Sequence, residues 1–284
     1  MDDIKSKAKE IEKDVVRWYR DLHRIPELHD QLPMTTAYVR SVLEELGIPY
    51  NVYSNSGIRA VIECCEGDKA IAFRADMDAL PVTEETGLPF ESEHKGCMHA
   101  CGHDAHTAML LGAAKVLLPY KKQLKGKIVL LFQPAEETSG GAKIMIEEGC
   151  LKDPDVNMLV NFHAGRLFPG IKNGQVGWKK GAVMASVDTF NVTVHGKGGH
   201  GAYPDECIDP IPIACQMILA LQNIISREIK PTHGAVITTG ELNAGTLVNV
   251  IPELFGLLIL QTEKKSVPEW RKYFEALHLQ LEPK

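Results

Sequence analysis

The sequence predicts an α/β protein: a mainly parallel sheet flanked by helices over residues 1–181, then a smaller α+β domain over residues 182–284. Three observations carry this. Apolar strands alternate with amphipathic helices up to about residue 162, the order of a layered α/β domain. The run I-V-L-L-F at 128–132 is apolar at every position, as a strand covered on both faces requires. Beyond Gly181 the pattern alternates, T-F-N-V-T-V-H at 189–195, as in a half-exposed antiparallel strand.

Residues 4–25 read as one amphipathic helix, with Ile4, Ile11, Val15, Trp18, Tyr19 and Leu22 near helical spacing and Pro26 just beyond. A second helix over 35–46 is stopped by Gly47. Strands follow at 58–64, 70–75 and 127–133, with a helix rich in small residues at 105–118 between the last two. A helix at 141–148, stopped by Gly149, precedes a strand at 155–162. The smaller domain shows a β-α-β-β order: strand 185–195, helix 209–227, strands 235–240 and 247–251.

Composition narrows the function classes. Hydrophobic residues at 44% and charged residues at 24% are those of an ordinary globular chain. A net charge of -6 with scattered lysines and arginines argues against a nucleic-acid partner. No secretory signal is evident, and the longest apolar-rich run, 108–118, contains Lys115 and is too short to span a bilayer, so no membrane partner and a cytoplasmic location are expected. Seven irregularly spaced cysteines do not form a disulfide framework; most are expected to be reduced and buried.

Polar residues directly follow three apolar strands: R-A-D-M-D-A-L-P at 74–81, Q-P-A-E-E-T at 133–138 and N-F-H at 161–163. Ligands of open α/β sheets gather at the carboxyl ends of strands, so these sets and H-A-C-G-H-D-A-H at 99–106 converge on one edge. Cys101 and His103 can reach one metal from a loop; thiolate, imidazole and carboxylate suit zinc, and more oxygen suits manganese. The plainer alternative is a helix start capped by Asp104 with incidental histidines; beside a metal site, His99 and His106 read as further ligands, as residues behind the ligands or as solvated side chains. Glu136 and Glu137 after Pro134 supply either one metal ligand and one general base or an ordinary acidic first turn. Asp78 reads as an orienting partner for a ligand imidazole or as a turn aspartate, and His163 as a ligand or a hydrogen-bonded histidine. G-K-G-G-H-G-A-Y-P at 196–204 lacks phosphate-loop spacing and reads as a loop presenting His200.

In order, A-D-M-D-A-L-P, M-H-A-C-G-H-D-A-H, Q-P-A-E-E, N-F-H, G-G-H-G-A-Y-P and G-T-L-V-N-V-I-P resemble the M20 metallopeptidase family. The likeness is strongest to its amidohydrolase branch of hippurate hydrolases, N-acyl-amino-acid amidohydrolases and auxin-conjugate hydrolases, and it runs from about residue 15 to 253. The resemblance implies metal-dependent hydrolysis of the amide bond of N-acyl amino acids, with two divalent metal ions, zinc or manganese. It implies Cys101, His103, Glu137 and His163 as metal ligands, Glu136 as general base and Asp78 as the orienting residue. It gives residues 1–181 the catalytic role and residues 182–284 that of a lid and dimerisation domain, whose His200 and Asn249 contact substrate or the developing oxyanion, and it implies a homodimer.

Members of that family continue past the lid and supply a last histidine ligand, whereas here the chain stops at Lys284 and departs from the pattern after about residue 253, with Ile259 near an expected arginine. A truncated or frameshifted chain is the expectation, keeping two metals or only one; His278 is a stand-in ligand that its L-H-L surroundings argue against. The alternative function is a catalytically impaired fragment that retains metal binding or dimerisation only.

Overall fold

The computed structural model describes residues 2–263 apart from 139, 166–169, 182, 184–185 and 233. It divides into two compact units, Met1–Ile171 and Lys172–Lys284, and the sequence-based boundary near residue 181 falls inside the second.

In the first unit the elements are α1 (Asp2–Glu10), α2 (Glu12–Arg24), α3 (Pro33–Glu45), β1 (Tyr50–Val52), β2 (Ile58–Glu63), β3 (Cys65–Asp76), α4 (His103–Leu117), β4 (Lys125–Gln133), α5 (Gly141–Glu147) and β5 (Val156–Asn161). The helix expected over 4–25 is broken at Ile11, whose backbone turns so that α1 and α2 both reach α4. The sheet order is β1-β2-β4-β3-β5. β3 runs parallel to both β4 and β5, as the strand–helix alternation predicts, and β2 and β1 add two antiparallel pairings.

Strand alternation decides which side chain meets which layer. Ile71, Phe73 and Ala75 align with Ile128, Leu130 and Phe132, and these with Ile62, Ala60 and Ile58. That face is covered by Trp18, Leu22, Val39, Leu43, Ala108, Leu111 and Ala114 from α2, α3 and α4. The opposite face, Ala70, Ala72, Val129 and Leu131, packs on Met145 of α5 and on Cys150. Phe132 is fully buried between layers. Its replacement by alanine is expected to cost about 3–5 kcal/mol, read as a lowered urea midpoint with an unchanged slope.

β5 is an edge strand, and its only described pairing is with β3. Met158 and Leu159 along it, and Phe162 just beyond its end, are 60%, 47% and 57% exposed. An edge strand that exposes apolar side chains is a feature proteins ordinarily cover.

The second unit holds β6 (Ser186–His195), β7 (Gly199–His200), α6 (Pro210–Asn223), β8 (Ala235–Ala244), β9 (Val250–Ile251) and β10 (Leu254–Glu263). α6 starts with Pro210 after Asp209, whose carboxylate accepts the Ile211 N–H at 2.9 Å. The antiparallel sheet is ordered β6-β10-β8, with Val192, Val194, Ile237 and Phe255 packed on Ala214 and Leu221 of α6. The central strand is therefore β10, which the β-α-β-β order omits, and the expected strand at 247–251 shrinks to a two-residue ribbon with β7. Backbone pairing over ten residues with β6, whose partners lie 59 to 77 positions earlier, is a non-local interaction that periodicity within 254–263 does not reveal. The cysteine expectation is also corrected: all seven are free, but only Cys97 and Cys150 are buried, and Cys65 and Cys215 are exposed. No helix among the described residues is long and apolar enough to cross a membrane.

Candidate metal centre

Because β3, β4 and β5 are parallel, the segments that leave their carboxyl ends share one edge of the sheet. The β3 exit carries Asp76 and Asp78, the β4 exit Glu136 and Glu137, and the β5 exit His163. Cys101 and His103 arrive from the opposite direction, at the start of α4, where Gly102 adopts φ +83°. That left-handed turn suits glycine and brings the chain from loop into helix within one residue.

The β4 exit is tied down at successive amides. Met77 N–H donates to the Gln133 carbonyl at 2.8 Å and Ala135 N–H to the His29 carbonyl at 2.9 Å. The two oxygens of the buried Asp78 carboxylate then accept the N–H groups of Glu136 and Glu137, both at 3.0 Å. An irregular turn, with Ala135 at φ +51°, thus aims both glutamates at the same edge. Gly141, opening α5, is required by the same turn: a Cβ there would lie 1.8 Å from the Pro134 carbonyl oxygen. Gly141→Ala is expected to push the 134–137 turn aside, with about 1–3 kcal/mol lost from stability and a measurably weaker zinc titration.

His103 stands at the middle. Its side chain is fully buried; its Nδ1 donates to the Asp78 backbone carbonyl at 2.8 Å and lies 3.4 Å from Asp78 Oδ1. With Nδ1 protonated, Nε2 keeps its lone pair. That Nε2 is buried without a partner, 3.7 Å from Asp76 Oδ2, 3.8 Å from Glu137 Oε1 and 4.0 Å from Glu136 Oε2. Glu137 Oε1 is likewise buried and unpartnered. On the other side Cys101 Sγ lies 3.4 Å from His163 Nε2. Two donor groups, Cys101–His103–His163 and His103–Glu136–Glu137, share His103, and within each the donor atoms lie within 4.8 Å of one another.

This donor set fits a divalent cation. Thiolate, imidazole and carboxylate are all donors to divalent cations, and their mixture suits a borderline-soft one. The cluster sets acidic groups close to one another. Burial and the neighbouring Glu137, Glu136 and Asp76 charges push the Cys101 thiol up to about 12. Glu136 is raised above the usual carboxylate range, chiefly by burial and further by Asp76 and Glu137, against the pull of His103. Burial opposes the His103 imidazolium, but Asp78, Asp76 and Glu137 outweigh it and raise its pKa. Asp76 is the exception: burial works against its charge, yet His106, Arg74 and His103 hold it well below the ordinary range.

The structure therefore brings together Cys101, His103, Glu136, Glu137, His163 and Asp78. His200 and Asn249 lie in the second unit, near each other: His200 pairs with Val250, and Gly201 N–H donates to the Asn249 carbonyl at 2.8 Å. His200 Nδ1 accepts the Ala202 N–H at 3.1 Å, which leaves Nε2 as the proton-bearing nitrogen of the neutral ring. His278 lies outside the described residues.

Behind the centre lie further polar contacts. His106 is buried and hydrogen-bonded rather than solvated. Asp104 accepts from its neighbour Ala105 N–H with Oδ1 and meets His23 Nδ1 at 2.6 Å with Oδ2; no side-chain cap bond forms at α4. His23 Nε2 lies 3.1 Å from Glu84 Oε1, pinning the 80–98 loop to α2. His99 is buried with neither nitrogen partnered, and burial pushes its pKa down to about 4. The spacing of His103 and His106, one helical turn apart, was the available signal that the two rings share a face.

Residues 72–267 match peptidase family M20/M25/M40. The chain belongs to the M20 family. Among its relatives, the N-acetyl-L-cysteine deacetylase of Bacillus subtilis (strain 168) is 47% identical over 244 residues, 86% of this chain and 58% of that protein. The N-acyl-L-amino acid amidohydrolase of Geobacillus stearothermophilus is 38% identical over 276 residues, 95% of this chain and 73% of that protein. The crystal structure of Bacillus subtilis YXEP, described as a dinuclear metal binding peptidase from the M20 family, superposes with a TM-score of 0.72 at 35% identity, covering 97% of this chain and 74% of that one. This M20 chain thus spans about three fifths of the length of the first of these curated relatives.

Proposed function

We propose that this M20 chain carries the centre of a metal-dependent amidohydrolase that splits the amide bond of N-acyl amino acids, of N-acetyl or N-benzoyl type, into a carboxylic acid and a free amino acid. The observation that carries this reading is the pair of orphaned buried atoms, His103 Nε2 and Glu137 Oε1, inside a ring of sulfur, nitrogen and carboxylate donors at three strand ends. Family membership and the names of the relatives support amide hydrolysis.

In this reading Cys101, His103, Glu137 and His163 hold the metal, two zinc or manganese ions or a single one. A cation bound there supplies Lewis-acid polarisation of the amide carbonyl and acidifies a water molecule. Glu136 takes the proton of the attacking water as the oxygen bonds to the carbonyl carbon. It then delivers that proton to the amide nitrogen as the C–N bond breaks, so the amine leaves neutral and Glu136 is regenerated. Its raised pKa suits both transfers. The Asp78 backbone carbonyl keeps His103 in the Nδ1–H tautomer and its carboxylate holds the Glu136–Glu137 backbone, so one residue positions both ligand and base.

The first unit is the catalytic domain in this proposal and the second the lid. His200, with Nε2 as donor, and Asn249 contact the substrate or its oxyanion. A homodimer through the second unit accords with α6, a helix without a single charged residue whose Ile213 and Leu219 are exposed. Seven unpaired cysteines suit a reducing cytoplasm.

Metal analysis of the purified chain, combined with hydrolysis assays on N-acetyl and N-benzoyl amino acids for wild type and Glu136→Ala, tests the proposal. Stoichiometric metal with turnover that vanishes in the variant is the expected result. Bound metal without Glu136-dependent turnover would leave a binding fragment and sink the enzyme reading.

A further inference from the structure

We infer that His106 is a positioning residue for His163, acting through the backbone of Ala164 and not as a metal ligand itself. The inference rests on the reading that His163 belongs to the metal centre.

Distance alone suggests otherwise, because Asp76, His103 and His106 offer donor atoms within 4.8 Å of one another and resemble a third metal group. Hydrogen bonding removes that possibility. The Ala164 N–H donates to His106 Nε2 at 2.7 Å, and an amide nitrogen can only donate, so Nε2 carries a lone pair and no proton. The ring proton is then on Nδ1, which donates to Asp76 Oδ1 at 2.5 Å. Both nitrogens of this buried ring are committed, and neither is free for a cation.

The chain of bonds continues outward. Asp76 Oδ2 accepts from Arg74 Nη1 at 2.7 Å, Arg74 Nε donates to Gln133 Oε1 at 2.9 Å, and Thr107 Oγ1 donates to the Asp76 carbonyl at 2.9 Å. Gln133 ends β4, Asp76 ends β3, His106 and Thr107 sit on α4, and Ala164 follows β5. One network thus joins the exits of all three parallel strands.

The β5 exit needs that tie more than the others. His163 leaves an exposed edge strand, flanked by exposed Asn161 and Phe162, whereas His103 sits in a buried helix turn. His163 Nδ1 bonds the Ala164 carbonyl at 2.6 Å, and the His106 ring lies edge-on to the His163 ring at 4.7 Å between centroids. Gripping Ala164 N–H therefore fixes the peptide that aims His163 Nε2 at Cys101 Sγ.

The test is a zinc-affinity cycle on the purified protein, using a chromophoric chelator as competitor, with the thermal midpoint of the metal-free protein measured alongside. His106→Phe keeps a buried ring and removes both hydrogen bonds; it should weaken zinc binding about 10- to 100-fold. His106→Gln, which retains an acceptor for the Ala164 N–H, should recover most of that loss. In a His163→Ala background, His106→Phe should cost nothing further, since its effect runs through His163. Equal losses with and without His163 would make His106 an independent ligand or a purely structural residue, and wild-type affinity in His106→Phe would end the proposal outright. Should His106→Phe fail to fold, Arg74→Met loosens the same network from its far end and is expected to follow the same pattern. Equal zinc affinity for wild type and His163→Ala would instead remove the metal reading of His163 on which the inference stands.

Discussion

Glu136→Gln lowers kcat on an N-acyl amino acid by about 10²- to 10⁴-fold, the range for loss of a general base, while zinc stoichiometry and thermal midpoint stay near wild type. The two adjacent glutamates make this expectation specific. Glu137 Oε1 is buried and faces His103 Nε2, so it is placed to ligate, and Glu137→Gln should lose metal before it loses chemistry. The Glu136 side chain is 42% exposed and lies 4.0 Å from the same nitrogen, so it is the glutamate that solvent reaches. Its raised pKa brings it toward the optimum for a group that both takes and returns a proton. A Glu136→Gln protein with activity within a few-fold of wild type would transfer the base role elsewhere. Steady-state kinetics together with metal analysis on both glutamate variants make the distinction.

Zinc affinity rises steeply with pH, by roughly tenfold per unit around neutrality, because binding as a thiolate displaces one proton from Cys101. The sign follows from the metal-free state. With the Cys101 thiol pushed up to about 12, it is protonated throughout the working range, and each unit of pH lowers the proton competition tenfold. His103 adds to the slope at the acidic end, since its pKa is raised and only the neutral ring can ligate. Chelator competition at pH 6, 7 and 8 reads the slope directly. Cys101→Ser, which has no thiol proton to release, should flatten it as well as weaken binding. An affinity independent of pH across this range would rule out Cys101 as a thiolate ligand.

Much of the centre was legible before any coordinates. Asp78, Glu136, Glu137 and His163 each directly follow an apolar strand, and the parallel order of β3, β4 and β5 is implied by the helices between them. The spacing of Cys101 and His103 also suggests that the two can approach one point, and the structure groups them with His163. What each carboxylate does was not. Asp78 reads as an orienting partner for an imidazole, and it does reach His103, at 2.8 Å through its backbone carbonyl. Its carboxylate is occupied by the Glu136 and Glu137 amides, from residues nearly sixty positions away. His106 reads from sequence as a further ligand, as lying behind a metal site or as solvated; the choice among these is made only by its partners Asp76 and Ala164, which come from two different strand exits.

The second unit divides the same way. The alternation of 189–195 and the capped start of α6 are local properties, set by side-chain period and by Asp209 followed by Pro210. The central place of β10 is not local, and neither is the exposed, one-sided pairing of β5. Local sequence decides where strands and helices form, because propensity and periodicity act within a few residues. It also decides which chemistries are available at their ends. Strand order, the tautomer of each buried histidine and the partner of each buried carboxylate depend on groups far apart in the chain. Those are determined only when folding brings them within hydrogen-bonding distance and burial removes water as an alternative partner.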